Sequence, residues 1–139
     1  WPQSLTTDLV LRLSPSKMES PGETRTDYLC YRNGLPRPEA QVEINDEYGK
    51  CFARVDFAWR DRGVFLEFDG KIKYEKHRRP GESLDDFLMR EKKREERICL
   101  LTGWVCIRIG WADLNNPTAT AARIRAVLAS RPVPGKAAI

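Results

Sequence analysis

Three acids near the middle of the chain have the type and spacing for divalent-metal chemistry. Asp56 sits in Val55-Asp56-Phe57-Ala58-Trp59, and Glu67 and Asp69 sit in Phe65-Leu66-Glu67-Phe68-Asp69-Gly70-Lys71. Both stretches otherwise read as apolar strands, and Arg60-Asp61-Arg62-Gly63 between them is turn chemistry. A hairpin about Asp61-Arg62 pairs residues whose numbers sum to about 123: Val55 with Phe68, Phe57 with Leu66, Trp59 with Val64. That register puts every large apolar residue of the pair except Phe65 on one face, and the apolar pattern is what fixes register. A three-residue loop would shift the pairing by one and mix the faces. The other face then carries Asp56 directly opposite Glu67, with Cβ atoms roughly 4.5 to 5.5 Å apart, and Asp69 two residues along on the same side. Like charges so placed destabilise a sheet unless a cation, a proton or basic side chains compensate. Mg²⁺, which takes one or two carboxylates plus waters and phosphate oxygens, is the economical answer, with Mn²⁺ as its substitute. The plainer alternative is a solvated strand face on which Asp56 and Glu67 each pair with an Arg or Lys.

These acids need elements to hold them. Ser20-Pro21-Gly22-Glu23 is a helix start, with Ser20 as N-cap, Pro21 at the first helical position and Glu23 completing a capping box. The helix should run to about residue 32, where Asn33-Gly34 ends it and Pro36 and Pro38 prevent its return. Residues 41–45, 51–59 and 64–69 read as three strands, the first two joined by the turn Asp46-Glu47-Tyr48-Gly49. A polar, basic loop follows Gly70 and breaks at Pro80-Gly81. Ser83 caps a long helix that ends at Gly103 and buries Leu84, Phe87, Leu88, Ile98 and Leu101. Residues 104–109 read as an interior strand, and Asn116-Pro117 opens a last helix with Ile124, Val127 and Leu128 inward. The order is helix, three-strand meander, helix, strand, helix: an α/β domain with a mixed sheet between helices. Residues 1–18 read as a lead-in segment, 19–130 as the domain, and 131–139 as a disordered tail.

At 139 residues with 41% hydrophobic and 32% charged side chains, the chain has material for one buried core. No apolar run reaches the roughly 18 to 20 residues of a membrane span, and Leu9-Val10-Leu11 is too short for a signal peptide. The expected location is the cytoplasm. Trp1 in place of Met suggests a domain excised from a longer chain. A net charge of +4 with pI near 9.0 suits a phosphate-backbone partner, though solubility alone produces such values. Cys30, Cys51, Cys99 and Cys106 form no C-x-x-C pair and read as buried free thiols. With His77 as the only histidine, a zinc site lacks ligand spacing.

An ordered series of motifs adds to this reading: P-G-E-T-R at 21–25, G-L-P-x-P-E at 34–39, Q-V-E-I at 41–44, R-V-D-F-A-W at 54–59, L-E-F-D-G at 66–70, then the basic helix, T-G-W-V-C-I-R-I and W-A-D-L within 90–114. Over residues 19–129 the series resembles the PD-(D/E)XK nuclease superfamily, in particular the branch of very-short-patch-repair endonucleases. The resemblance implies a restriction-endonuclease-like core and a Mg²⁺-dependent endonuclease that hydrolyses DNA phosphodiesters to 5′-phosphate and 3′-hydroxyl ends. It makes Glu23 the leading acid, Asp56 the central metal ligand and Glu67 the second acid. Asp69 stands where a lysine is usual and joins the metal set, so Lys71 would substitute from two residues along, and His77 would stand in for a downstream histidine. Lys71, Lys73, Lys76, His77, Arg78 and Arg79, with Arg90, Lys93, Arg94 and Arg97 of the long helix, would hold backbone phosphates.

Each assignment has a plainer counterpart. Glu23 also serves a capping box; the long helix alternates its bases with Glu91, Glu95 and Glu96, as a solvated face of i,i+4 pairs does; Trp59, Trp104 and Trp111 suit a core or its edge. The rival function is a catalytically silent nuclease-fold module that binds nucleic acid or a protein partner in a regulatory or toxin–antitoxin-type protein. RNA in place of DNA stays open, as do sequence specificity and oligomeric state.

Overall fold

The first helix starts where its cap is written. In the computed structural model, which describes residues 20–69, 75 and 77–131, Ser20 Oγ accepts the Glu23 N–H at 3.2 Å and α1 spans Pro21–Arg32. Asn33 closes it, its side-chain amide donating to the Leu29 carbonyl at 2.8 Å. Strands β1 (Glu39–Asn45), β2 (Cys51–Trp59) and β3 (Val64–Phe68) form an antiparallel meander. A 3-10 turn, Arg60–Arg62, and Gly63 at φ +63° reverse the chain between β2 and β3, a left-handed conformation that glycine adopts without strain. Helix α2 (Leu84–Thr102), capped by Ser83 Oγ on the Asp86 N–H, carries the chain to β4 (Val105–Ile109), which lies parallel to β3. Helices α3 (Trp111–Leu114) and α4 (Pro117–Ser130) complete the order, and the sheet runs β1-β2-β3-β4. The protein is therefore mixed α/β, with a four-stranded mixed sheet flanked by helices. Among the described residues no helix is long and apolar enough to cross a membrane.

Both faces of the sheet are covered, so the inner strands read as apolar runs; all five residues of β3 are buried. On one face Phe57, Trp59, Val64, Leu66, Phe68, Ile107 and Ile109 pack with Leu29 and Cys30 of α1, Leu114 of α3 and Ile124 and Leu128 of α4. On the other, Val42, Ile44, Ala53, Val55, Ala58 and Phe65 pack against Ile98 of α2. Trp59 is a core residue whose indole N–H donates to the Pro36 carbonyl at 2.7 Å.

Several expectations are corrected. Val55 belongs to the α2 face, not to the face of Phe57 and Trp59. Leu84, Leu88 and Leu101 are exposed; α2 buries only Phe87 and Ile98. Cys51 is exposed, Cys99 and Cys106 are half-buried, and Cys30 alone of the four is buried, all of them free thiols. The short α3 was not expected from the sequence. The lead-in segment, residues 70–74 and 76 of the basic loop, and residues 132–139 of the tail lie outside the described residues.

Helix α1 sits close against the sheet because Gly22 has no side chain: a Cβ there would stand 2.1 Å from Phe68 Cε1. Gly22→Ala raises helix propensity by about 1 kcal/mol, yet the clash must push α1 or the Phe68 ring aside. The expected net effect is a loss of about 2 kcal/mol, read as a lower urea midpoint. An unchanged midpoint would show that α1 is not seated on Phe68.

Candidate active site

The site is built where two strand ladders stop. Ala40↔Phe57 and Val42↔Val55 share one register, so no residue is inserted between them, yet the Gln41–Asp56 rung they flank is not paired. Gln41 has φ +52°, the one positive φ at a non-glycine among the described residues. Both strands change face there: Ala40 and Phe57 pack on the α1 side, Val42 and Val55 on the α2 side. A left-handed L-residue costs about 1 to 2 kcal/mol, and such conformations persist only where the surroundings impose them. The Gln41 side chain is part of those surroundings, since its Nε2 donates to Glu23 Oε2 of α1 at 2.8 Å.

The other edge of β2 shows the counterpart. The β2–β3 ladder holds Trp59↔Val64, Ala58↔Phe65 and Phe57↔Leu66, the register expected from the apolar pattern, and goes no further. Neither the expected Asp56–Glu67 rung nor the Val55–Phe68 rung forms, so the two acids are not a cross-strand pair. Instead the Phe68 N–H donates to Asp56 Oδ2 at 2.8 Å, while the next N–H along, that of Asp69, donates to the Ile109 carbonyl of β4. Successive amides of a strand face opposite edges, so the Asp56 carboxylate does the work of a missing β2 carbonyl and leaves no buried donor unpaired.

Glu67, adjacent to Phe68, is buried and paired: Arg94 of α2 donates through Nη1 to its Oε1 at 2.9 Å. The second guanidinium nitrogen of Arg94 holds the Arg54 carbonyl of β2. Beside Glu67 is a cavity of about 310 Å³ lined by Glu67, Asp69, Glu91, Glu95, Lys92, Arg108 and the apolar Phe87 and Leu88. Asp69 is exposed at its rim, 3.9 Å from Arg108, which donates through Nε to Glu95 at 2.7 Å. The structure thus brings Glu67 and Asp69 to one cavity, and places Asp56 on the strand beside them but outside its lining.

The remaining expected residues are distributed differently. Glu23 is buried and faces Gln41. Lys71, Lys73 and Lys76 lie outside the described residues. His77, Arg78, Arg79 and Lys93 are exposed. Arg90 is committed to Glu82, donating to both carboxylate oxygens at 3.0 Å, and those hydrogen bonds hold the Glu82 carboxyl down at about 2. Arg97 lies 4.3 Å over the Phe52 ring and 3.9 Å from Glu47. Arg90, Arg94 and Arg97 of α2 each have an acidic partner, but chiefly outside the helix, in Glu82, Glu67 and Glu47, and not in the i,i+4 pairs with Glu91, Glu95 and Glu96 that the plainer reading expected.

Two residues escaped the sequence reading. Nothing in a strand pattern marks Gln41 as left-handed. Asp27, one turn beyond Glu23 on α1, had a faint signal in that i,i+4 spacing; it is buried, its Oδ2 has no hydrogen bond, and Arg37 is 4.0 Å away. Burial raises its carboxyl pKa, against the pull of Arg37. Burial and then the nearby Asp27 push the Cys30 thiol up to about 12, which keeps it an inert core group.

Among the described residues, no group of three or more His, Cys, Asp or Glu is placed to hold a metal ion. The donor chemistry nonetheless fits one: Asp56 and Glu67 are hard carboxylate donors, and Mg²⁺ needs only one or two when water and phosphate complete its shell.

Two outcomes follow from the charges. Arg94→Met leaves Glu67 buried without its cation and should cost about 2 kcal/mol, most of it recovered by adding Glu67→Gln in a double-mutant cycle; additive losses would show that the pair is not coupled. For Asp27, the unfolded carboxyl ionises near 3.8 and the folded one at higher pH, so its stability contribution is intact below 3.8 and is lost as pH rises through the folded value. Asp27→Asn should therefore gain on wild type between pH 3.5 and 7 in parallel denaturation curves, and a pH-independent difference would refute this.

Compared with known proteins, the chain matches no family model, no curated protein and no solved structure.

Proposed function

We propose that the chain is a metal-dependent endonuclease with a restriction-endonuclease-like core that hydrolyses DNA phosphodiester bonds. The observation that carries the reading is the burial of two acids, Asp56 and Glu67, on neighbouring strands just past the end of their shared ladder, with Glu67 on a cavity also lined by Asp69, Glu91, Glu95, Lys92 and Arg108. A polar side chain at an apolar sheet's centre is costly unless it is compensated, and such arrangements concentrate at functional sites. In this reading Asp56 and Glu67, with Asp69 at the rim, hold Mg²⁺ or Mn²⁺. The bound cation supplies neutralisation of the charge that builds on the scissile phosphate and makes a bound water more acidic. Glu23, fixed through Gln41, orients the attacking water or takes its proton, a task Lys71 could share. Lys71, Lys73, Lys76, His77, Arg78, Arg79 and Lys93 hold the DNA backbone, where contacts set position and salt dependence and leave sequence unread.

A second reading has its own observation. Arg94 already neutralises Glu67 at 2.9 Å, so the site is tolerable without metal, as in a catalytically silent nuclease-fold module that binds nucleic acid or a protein partner.

Thermal melting and plasmid nicking separate the two. Millimolar Mg²⁺ or Mn²⁺ should raise the wild-type melting temperature by mass action, by about 2.7 kcal/mol of stability at a hundredfold excess over Kd, and Asp56→Asn should lose that response. Nicking of supercoiled DNA should need the metal and fall by at least roughly 100-fold in Glu67→Gln, with an RNA substrate run in parallel. A wild-type protein that neither responds to metal nor cuts belongs to the silent module, and cutting indifferent to Glu67→Gln would refute this site.

A further inference from the structure

We propose that Gln41 is a positioning residue of the candidate site, one that sets Glu23 and Asp56 relative to each other through two separate devices. The inference rests on the nuclease reading above. The first device is the backbone. At φ +52° Gln41 cannot continue the β1 pleat, and the rung it shares with Asp56 is open while the rungs on both sides keep one register. Opening that rung frees Asp56 from the ordinary alternation of β2, which lets its carboxylate reach across to the Phe68 N–H at 2.8 Å. The second device is the side chain. Gln41 Nε2 donates to Glu23 Oε2 at 2.8 Å and holds a buried helix carboxylate against the same rung. One residue therefore couples the first acid on α1 to the central acid on β2, which lie 33 positions apart in the chain.

Glutamine is a poor choice if the kink alone is wanted. Glycine takes a positive φ without strain, and asparagine is the non-glycine most at home there. What glutamine adds is a long arm ending in an amide donor, and that arm is spent on Glu23. Strain retained at a site of buried acids is the expected signature of a residue kept for geometry.

The two devices can be separated in the full chain with two variants. Gln41→Gly keeps the left-handed kink and removes the amide. It should melt at the wild-type temperature or a few degrees above it, and keep the Mg²⁺-dependent rise in melting temperature, because Asp56 stays in place. Its kcat for plasmid nicking should drop roughly 10- to 100-fold, with KM for the plasmid within about twofold, because Glu23 loses the Gln41 amide that sets its orientation. Gln41→Val cannot adopt the left-handed conformation comfortably. It should close the rung, melt several degrees lower and lose the Mg²⁺ response as well as cutting. A merely structural role moves stability and activity together, and Gln41→Gly is expected to move them apart. Gln41→Gly that nicks like wild type, or Gln41→Val that keeps the metal response, overturns the proposal while leaving the nuclease reading intact. Wild type that neither responds to metal nor nicks removes the nuclease reading, and this proposal falls with it.

Discussion

The architecture around the site depends on one hydrogen bond, the Phe68 N–H to the Asp56 carboxylate. An inner strand has two edges to satisfy, and β3 satisfies one against β4 along its whole length. Its other edge loses the β2 ladder after Leu66. A buried amide left there without an acceptor would cost about 1 to 3 kcal/mol. Because Asp56 supplies an oxygen from its side chain, β2 can leave β3 without that penalty, and the sheet opens where its acids lie. The same displacement explains why β1 and β2 both exchange faces at the Gln41–Asp56 rung, so that each strand serves α1 at one end and α2 at the other.

The four buried acids of this region have different surroundings, Asp56 meeting the Phe68 N–H. Glu67 has a guanidinium, Glu23 an amide donor, and Asp27 an oxygen with no hydrogen bond and a more distant arginine. A full ion pair lowers the electrostatic cost most, and an orphaned oxygen least. Burial raises the Asp27 carboxyl pKa against the pull of Arg37. Gly22 lets α1 approach Phe68 closely enough for Glu23 to meet Gln41.

What the sequence disclosed was whatever depends on local chemistry or on an unbroken pleat. Ser20 and Ser83 cap helices where expected, because a hydroxyl three residues ahead of a free N–H is a local arrangement. The Phe57–Leu66 and Trp59–Val64 pairings followed from apolar parity. Parity fails at Asp56 because it assumes that every rung closes, and so it puts Val55 on the wrong face. The long helix misled in another way: Phe87 and Ile98 stand about three turns apart, and they alone are buried, so the intervening Leu88 and the flanking Leu84 and Leu101 are left in solvent. A period-3.6 pattern names the apolar stripe, but the line along which a straight helix crosses a twisted sheet decides how much of the stripe is covered. Side-chain partners such as Gln41 with Glu23, 18 positions apart, lie beyond any local signal.

Arg94 is where the two functional readings part physically. Its guanidinium is fixed between the Glu67 carboxylate and the Arg54 carbonyl, so two bonds share the cost of ordering one long side chain. In a silent module it is a permanent counter-ion and Glu67 a structural acid that joins β3 to α2. In a nuclease the same arginine keeps the free protein folded around acids that repel each other, until a divalent ion takes over part of the neutralisation. A structural acid needs one partner only. Glu67 has Arg94 at one oxygen and also borders a cavity in which Asp69, Glu91 and Glu95 stand beside Lys92 and Arg108. The burial of Glu67 is therefore compensated within the folded chain, and it is the open space beside a buried acid that the metal-dependent reading uses and the silent one leaves idle.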